Sequence, residues 1–359
     1  MWQRLAMMCI YGLIIVIMPI HAGHNGELRL LFAGDIMAHD VNISQRDHNQ
    51  IYERIRPFLQ EHHLNFANFE SVLSDKIRPQ GYPRFSVGSR YAQAAIEAGF
   101  NVFSLANNHS ADHYRAGILQ SLESWQLLRQ RYPWVRYAGL RSHPQERWPM
   151  EVIHVQGWRV GFIAVTQFLN WQETQQDIGS ELVDVINFRN AVVAQSFLRY
   201  VQEVRSSVDL LIVSYHGGDE YVLQDEPQKL AFYRRLVDAG ADIVWGHHPH
   251  VLQPYHWYRD RLIIQSAGNL ISGQTWAIKS NDYALDRAYT GDTLLYSVAL
   301  SAKASDEPLE MRLVQTIPVS SYRHPQHGMI LIHLEDLDWL PEAWQRFYHY
   351  RYKAMQKFQ

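Results

Sequence analysis

The strongest constraint on this chain is a repeated pattern: short β-type apolar runs, each delivering a residue able to hold a metal ion. Leu28–Ala33 leads into Gly34-Asp35, and Leu64–Ala67 leads into Asn68-Phe69-Glu70. Asn101–Ala106 leads into Asn107-Asn108-His109, and Leu210–Tyr215 into His216-Gly217-Gly218. A fifth run, Ala241–Trp245, delivers Gly246-His247-His248-Pro249-His250, three histidines in four positions. In sheets whose strands alternate with helices, ligand and metal groups gather just beyond the strand ends. A single Asp or Asn there is what any cap or turn requires. Five ends that share carboxylate, amide and imidazole chemistry point to one common site.

Helical patterns fill the spaces between these runs. The spacing predicts helices over 47–60, 90–98 (stopped by Gly99), 114–130, 190–205 and 228–238. In 114–130, Ile118, Leu122, Trp125 and Leu128 share one face. Hairpins are predicted at 150–165, turning at Gln156-Gly157, and at 252–265, turning at Arg259-Asp260. The region 274–330 reads as less regular. The segment 167–189 is polar, with Gln167, Asn170, Gln172, Glu173, Gln175 and Gln176, and fits a loop over the site or a solvated insertion. The stretch 341–358 reads as an aromatic and basic helix that packs on its own domain or lies on a membrane surface. Strands alternating with helices imply an α/β fold with a largely parallel, covered sheet.

Residues 1–22 differ in kind. Arg4, the apolar stretch Leu5–Ile20 and the small residue Ala22 form a secretory signal pattern. The apolar stretch is about 16 residues, where a spanning helix needs roughly 20. The expectation is a secreted or periplasmic protein whose mature chain starts near Gly23, with an uncleaved membrane anchor as the alternative. Cys9 is the sole cysteine and lies inside this segment, so a mature chain would hold neither disulfide nor thiol nucleophile. A net charge of −3 and the lack of a Lys/Arg block exclude a nucleic-acid binder.

Asp35, Glu70, Asn108, His216, His248 and His250 supply the donor types of a Zn, Mn or Fe site holding one or two ions. On an extended segment, residues two apart point the same way. His248 and His250 would then face one ion, with His247 turned toward a supporting partner or the substrate. Pro249 favours an extended backbone at His248. His109, beside Asn108, suits proton donation to a leaving group. No G-x-S-x-G elbow, P-loop or H-E-x-x-H occurs to support another design.

The motifs Gly34-Asp35-Ile36-Met37, Asn68-Phe69-Glu70-Ser71, Ser104–His109 with Asp112 and Gly117, His216-Gly217-Gly218-Asp219-Glu220-Tyr221, Gly240–Pro254 and Ser266–Asn269 resemble the CapA family, named for poly-γ-glutamate capsule synthesis. The resemblance covers roughly residues 28–273, leaving 274–359 as a C-terminal extension packed on the same domain. That family is similar to calcineurin-like metallophosphoesterases, which implies a four-layer α-β-β-α sandwich with metals at the strand ends. Met37 stands where the wider superfamily has a ligand His, and Glu70 where it has a bridging Asp. Gly217 replaces the family's usual Trp, and Tyr114 its usual Gly.

The resemblance implies a protein of capsule polymer synthesis or processing, with a metal-dependent site that hydrolyses an amide or phosphate ester. In that reading Asp35, Glu70, Asn108, His216, His248 and His250 hold metal, and His109, His216 and Asn108 serve the chemistry. Glu220, His247 and Asn269 would face the substrate. The partner would be a polyanion such as poly-γ-glutamate. The alternative is a non-catalytic accessory protein that binds polymer or a membrane capsule synthesis complex.

Overall fold

The computed structural model describes residues 26–144, 148–170, 181–283, 285–301 and 309–359. The expected signal segment with Cys9, and residues 171–180 of the polar segment, lie outside the described residues. Among the described residues sixteen strands form, in chain order, β1 Leu28–Met37, β2 Leu64–Glu70, β3 Val72–Leu73, β4 Ser86–Val87, β5 Val102–Ser104, β6 Arg136–Ala138, β7 Glu151–Val155 and β8 Trp158–Thr166. They continue with β9 Leu210–His216, β10 Ile243–His247, β11 Leu252–Tyr258, β12 Arg261–Ala267, β13 Asn269–Ile271, β14 Asp292–Ser301, β15 Glu310–His324 and β16 Gly328–His333.

Two mixed sheets carry the molecule. The first runs β16-β15-β14-β1-β2-β5-β6, with β13 also on β1; the second runs β11-β12-β10-β9-β8-β7. The period-two alternation of strand side chains shows how the sheets are covered. On β9, Leu210 and Ile212 join the core shared with the first sheet. Leu211, Val213 and Tyr215 join a separate core with Phe197 and Val201 of helix Ala191–Val204 and with Phe232 and Leu236 of helix Pro227–Asp238. The inner faces meet where Trp245 Nε1 donates to the Ala33 carbonyl at 2.9 Å and the Phe66 and Phe162 rings pack 5.5 Å apart. Helices Ser89–Ala98 and Tyr114–Arg131 bury their apolar stripes, including Trp125 against Phe69 and Phe103, on the outer side of the first sheet. The layer order is α-β-β-α, as the family resemblance implies.

Both hairpins, and the helices at 90–98, 114–130, 190–205 and 228–238, form within a residue or two of expectation. Two expectations fail. The helix over 47–60 splits into a 3-10 turn at His48–Ile51 and a short helix at Arg56–Gln60, where Pro57 lies in the first turn and cannot donate back along a continuous helix. The region 274–330 is irregular only up to the 3-10 turn Asp286–Gly291. From Asp292 its described residues form β14, paired antiparallel with β1 and with the 15-residue β15, and the start of β16. Pro318 and the polar Thr316, Ser320 and Ser321 hide the strand pattern of β15 in the sequence.

The stretch 341–358 forms helix Glu342–Met355, which buries Phe347, Tyr348, Arg351 and Met355. Tyr348 donates to the Ser321 carbonyl at 2.8 Å, tying this helix to β15. No helix among the described residues is long and apolar enough to cross a membrane.

Candidate metal centre

The site forms where β1, β2, β9 and β10 end together. Gly34 makes room at the end of β1: a Cβ there would lie 1.8 Å from the Gly268 carbonyl oxygen, and that oxygen accepts the Asp35 amide at 3.1 Å. Asp35 is thereby carried into the space between the sheets. Glu70 is the last residue of β2, His216 of β9 and His247 of β10, so these groups lie within the strand ends rather than beyond them.

Among the described residues, two groups of donor atoms could hold a cation, and they share Glu70. Asp35, Glu70 and His216 form one, and Glu70, His248 and His250 the other; the ligand atoms within each lie within 4.8 Å of one another. Glu70 Oε1 is 3.6 Å from His216 Nε2, and 4.0 Å from each Nε2 of His250 and His109. Glu70 is fully buried, and neither of its carboxylate oxygens has a hydrogen-bond partner among the described residues. Such a group is costly unless it takes a proton or a cation. The donor set therefore fits a divalent metal, and Glu70 is the residue common to both groups.

The electrostatics separate the two carboxylates. Burial raises the Glu70 carboxyl well above the usual range, and the charges of Asp35, Glu220 and Asp112 raise it further. Burial also pushes Asp35 up, but the imidazoles of His247 and His250 outweigh this and hold it well below its ordinary value. Asp35 also accepts from Asn68 Nδ2 at 2.9 Å and from the His248 amide at 3.4 Å. Burial lowers His216 and His248 well below the ordinary imidazole value, keeping them neutral as metal ligands must be.

Neighbouring amides fix the imidazoles. Asn269 Nδ2 is committed to Gln274, Thr290 and Ser272, so its Oδ1 faces His250 Nδ1 at 3.0 Å and accepts that proton. When neutral, His250 would keep the Nε2 lone pair toward the cluster, the usual arrangement behind a metal-binding histidine. Burial lowers its pKa, but the Asp35 carboxylate outweighs this and raises it above the ordinary imidazole value. His216 Nε2 lies 2.7 Å from Asn108 Oδ1, while its Nδ1 faces Asn68 Nδ2 at 3.2 Å. His109 Nδ1 lies 2.6 Å from Asp112 Oδ2, so its Nε2 turns toward Glu70.

Three expectations need correction. The segment His248–His250 is not extended, because φ is 97° at His248 and 57° at His250. Both imidazoles reach Glu70 through a left-handed turn, not through strand periodicity. Of the two alternatives for His247, the geometry fits the supporting partner and not the substrate-facing one. It ends β10 opposite His216, with Nδ1 3.4 Å from Asp35 and Nε2 3.1 Å from Ser214 Oγ, and is buried behind the cluster. Asn269 likewise supports His250 from behind. Glu220 is exposed at the mouth, near enough for its charge to act on Glu70 and His250.

The supporting roles of Asn68, Asp112 and Asn170, whose Nδ2 lies 3.2 Å from His109 Nδ1, were not anticipated. Neither was His39. Its Nδ1 accepts from the Gly273 amide at 3.1 Å, and burial, then the charges of His250 and His109, lowers it to about 4. The signal was in the sequence: in Asp35-x-Met37-x-His39, alternate residues of an extended strand share a face.

The layer order and a buried carboxylate–histidine cluster at parallel strand ends define a protein of the α-β-β-α sandwich class with a candidate metal centre. Residues 29–274 match the bacterial capsule synthesis protein family PGA_cap, and the chain belongs to that family. It is 28% identical over 284 residues to the capsule biosynthesis protein CapA of Bacillus anthracis, a match covering 76% of this chain and 66% of that protein. It is 25% identical over 262 residues to the PGA biosynthesis protein CapA of Bacillus subtilis (strain 168), covering 71% of this chain and 65% of that protein. The chain thus spans slightly less than two thirds of each relative. Among solved structures, a hypothetical protein of Thermus thermophilus is similar over 80% of this chain and 98% of its own, with 16% identity and a TM-score of 0.44.

Proposed function

We propose that the chain is an exported, metal-dependent hydrolase of poly-γ-glutamate capsule synthesis or processing, acting on an amide or phosphate ester of the polymer or its precursor. The observation that carries this reading is Glu70, a fully buried carboxylate with both oxygens unpaired, set among Asp35, His216, His248 and His250. Asp35, Glu70, Asn108, His216, His248 and His250 would hold one or two divalent ions. A bound ion of this kind lowers the pKa of water and neutralises charge on a reacting group. The protein's own groups do the rest. Asn68 holds Asp35, Asn269 orients His250, and Asp112 orients His109 so that its Nε2 is the atom placed to carry a proton to a leaving group.

Both CapA relatives carry capsule or PGA biosynthesis in their names, which supports the polymer as substrate class. The signal pattern of residues 1–22 supports export. The test is metal analysis of the mature protein, paired with an assay of γ-linked polyglutamate cleavage. Bound divalent ion, lost together with cleavage in Asp35→Asn, is the expected result. A metal-free protein that binds polymer without cleaving it would overturn the reading and establish an accessory role.

A further inference from the structure

A cavity of about 1150 Å³ opens beside the candidate metal centre. It adjoins the cluster through Tyr221, whose ring lies 6.0 Å from that of His250, and through Gln274, which accepts from Asn269. Its size exceeds the ~300–1,000 Å³ typical of a small-molecule pocket, so it can hold several linked units. We propose that this cavity binds a saccharide chain.

Aromatic rings give the first argument. Tyr82, Tyr221 and Trp276 all line the cavity and are 76%, 52% and 49% exposed. Rings left in water around one opening mark a binding surface, and a flat ring stacks on the C–H face of a sugar. Tyr221 is also held at a φ of 63°, uncommon for a bulky residue, while its hydroxyl accepts from Gln274 Nε2 at 3.2 Å. A strained, ordered and half-exposed tyrosine is a recurrent property of ligand sites.

Charge gives the second. The wall carries two carboxylates, Asp40 and Asp286, and two guanidiniums, Arg287 and Arg323. Asp40 Oδ1 accepts from the Gly81 amide, and Arg323 lies over the Trp276 ring and donates to the Trp276 carbonyl. Neither arginine makes an ion pair among the described residues. The two signs balance on this wall, so a polyanion with a carboxylate on every unit would meet as many carboxylates as guanidiniums. Vicinal hydroxyls both donate and accept, so they pair with planar groups of either sign. Trp276, Asp286, Arg287 and Arg323 also lie beyond residue 274, where the family match ends, so this wall is set by the chain itself.

The proposal stands independently of metal occupancy and is tested by titrating the mature protein with cellohexaose, chitohexaose and maltohexaose. A γ-linked glutamate hexamer serves as the contrasting probe. At least one hexasaccharide is expected to bind and shift tryptophan emission. Trp276→Ala and Tyr82→Ala should each weaken that binding about tenfold without lowering the melting temperature. Three results would overturn it: no hexasaccharide binds, only the glutamate hexamer binds, or hexasaccharide affinity survives both substitutions.

Discussion

β1 and β14 lie side by side, and the first sheet buries carboxylates near both, yet it treats them oppositely. Asp292, at the start of β14, is met by Arg351 from helix Glu342–Met355, with Nε to Oδ2 at 3.1 Å, and by Ser320 Oγ at 3.2 Å. Glu70, at the end of the neighbouring β2, is equally buried and meets no hydrogen bond among the described residues. Burial pushes both carboxyls upward. One has been given a cation by its own chain, and the other is left for a cation from outside. The difference separates a carboxylate that joins elements from one that serves a site.

The largest expected effect comes from breaking the partnered side. Arg351→Met should destabilise the protein by about 3–5 kcal/mol in chemical unfolding, because Asp292 would stay buried without a cation. A cost under about 1 kcal/mol would show that the C-terminal helix is peripheral and erase the contrast.

Glu70→Gln should act with the opposite sign on the metal-free protein, raising its stability by about 1–3 kcal/mol while lowering divalent-ion affinity at least about 100-fold. The pH dependence follows from the raised Glu70 carboxyl. A folded pKa above the unfolded one favours the folded state at low pH, and this contribution is lost as pH climbs from about 4.3 through the folded value. The stability gap between Glu70→Gln and the parent should therefore widen with rising pH. Thermal melts in chelator across that range check it, and a gap that narrows would contradict the assignment.

Asn269→Ala sharpens the contrast at the level of orientation. Removing the acceptor of the His250 Nδ1 proton should weaken ion affinity about 10–100-fold in a competition titration, and Asn269→Asp, which retains an acceptor oxygen, should weaken it less. The smallest effect belongs to Tyr221→Phe. Loss of a half-exposed hydroxyl bonded to Gln274 should cost about 0.5–1.5 kcal/mol at most in unfolding, with ion affinity unchanged.

The sequence made this contrast half visible. Asp35, Glu70, His216, His248 and His250 were legible because each follows an apolar run, and such runs report strand ends directly. Asp292 and Arg351 were not, since their pairing joins residues 59 apart through a strand whose pattern Pro318 and neighbouring polar residues conceal. The His248–His250 turn was misread because Pro249 restrains the residue before it only toward extended backbone, whereas tertiary contacts, including the His248 amide bond to Asp35, hold both histidines left-handed. The roles of His247 and Asn269 could not be read from chain position, because both follow from which neighbour claims each ring nitrogen or amide oxygen.

The complete burial of Glu70 and His216 also bears on time. An ion reaching these atoms would enter from the mouth, past Glu220 and the His250 ring beside Tyr221, so exchange with solvent should be governed by how those side chains move. Isotope exchange with a labelled ion would read this as a residence time, shortened by conditions that promote their movement.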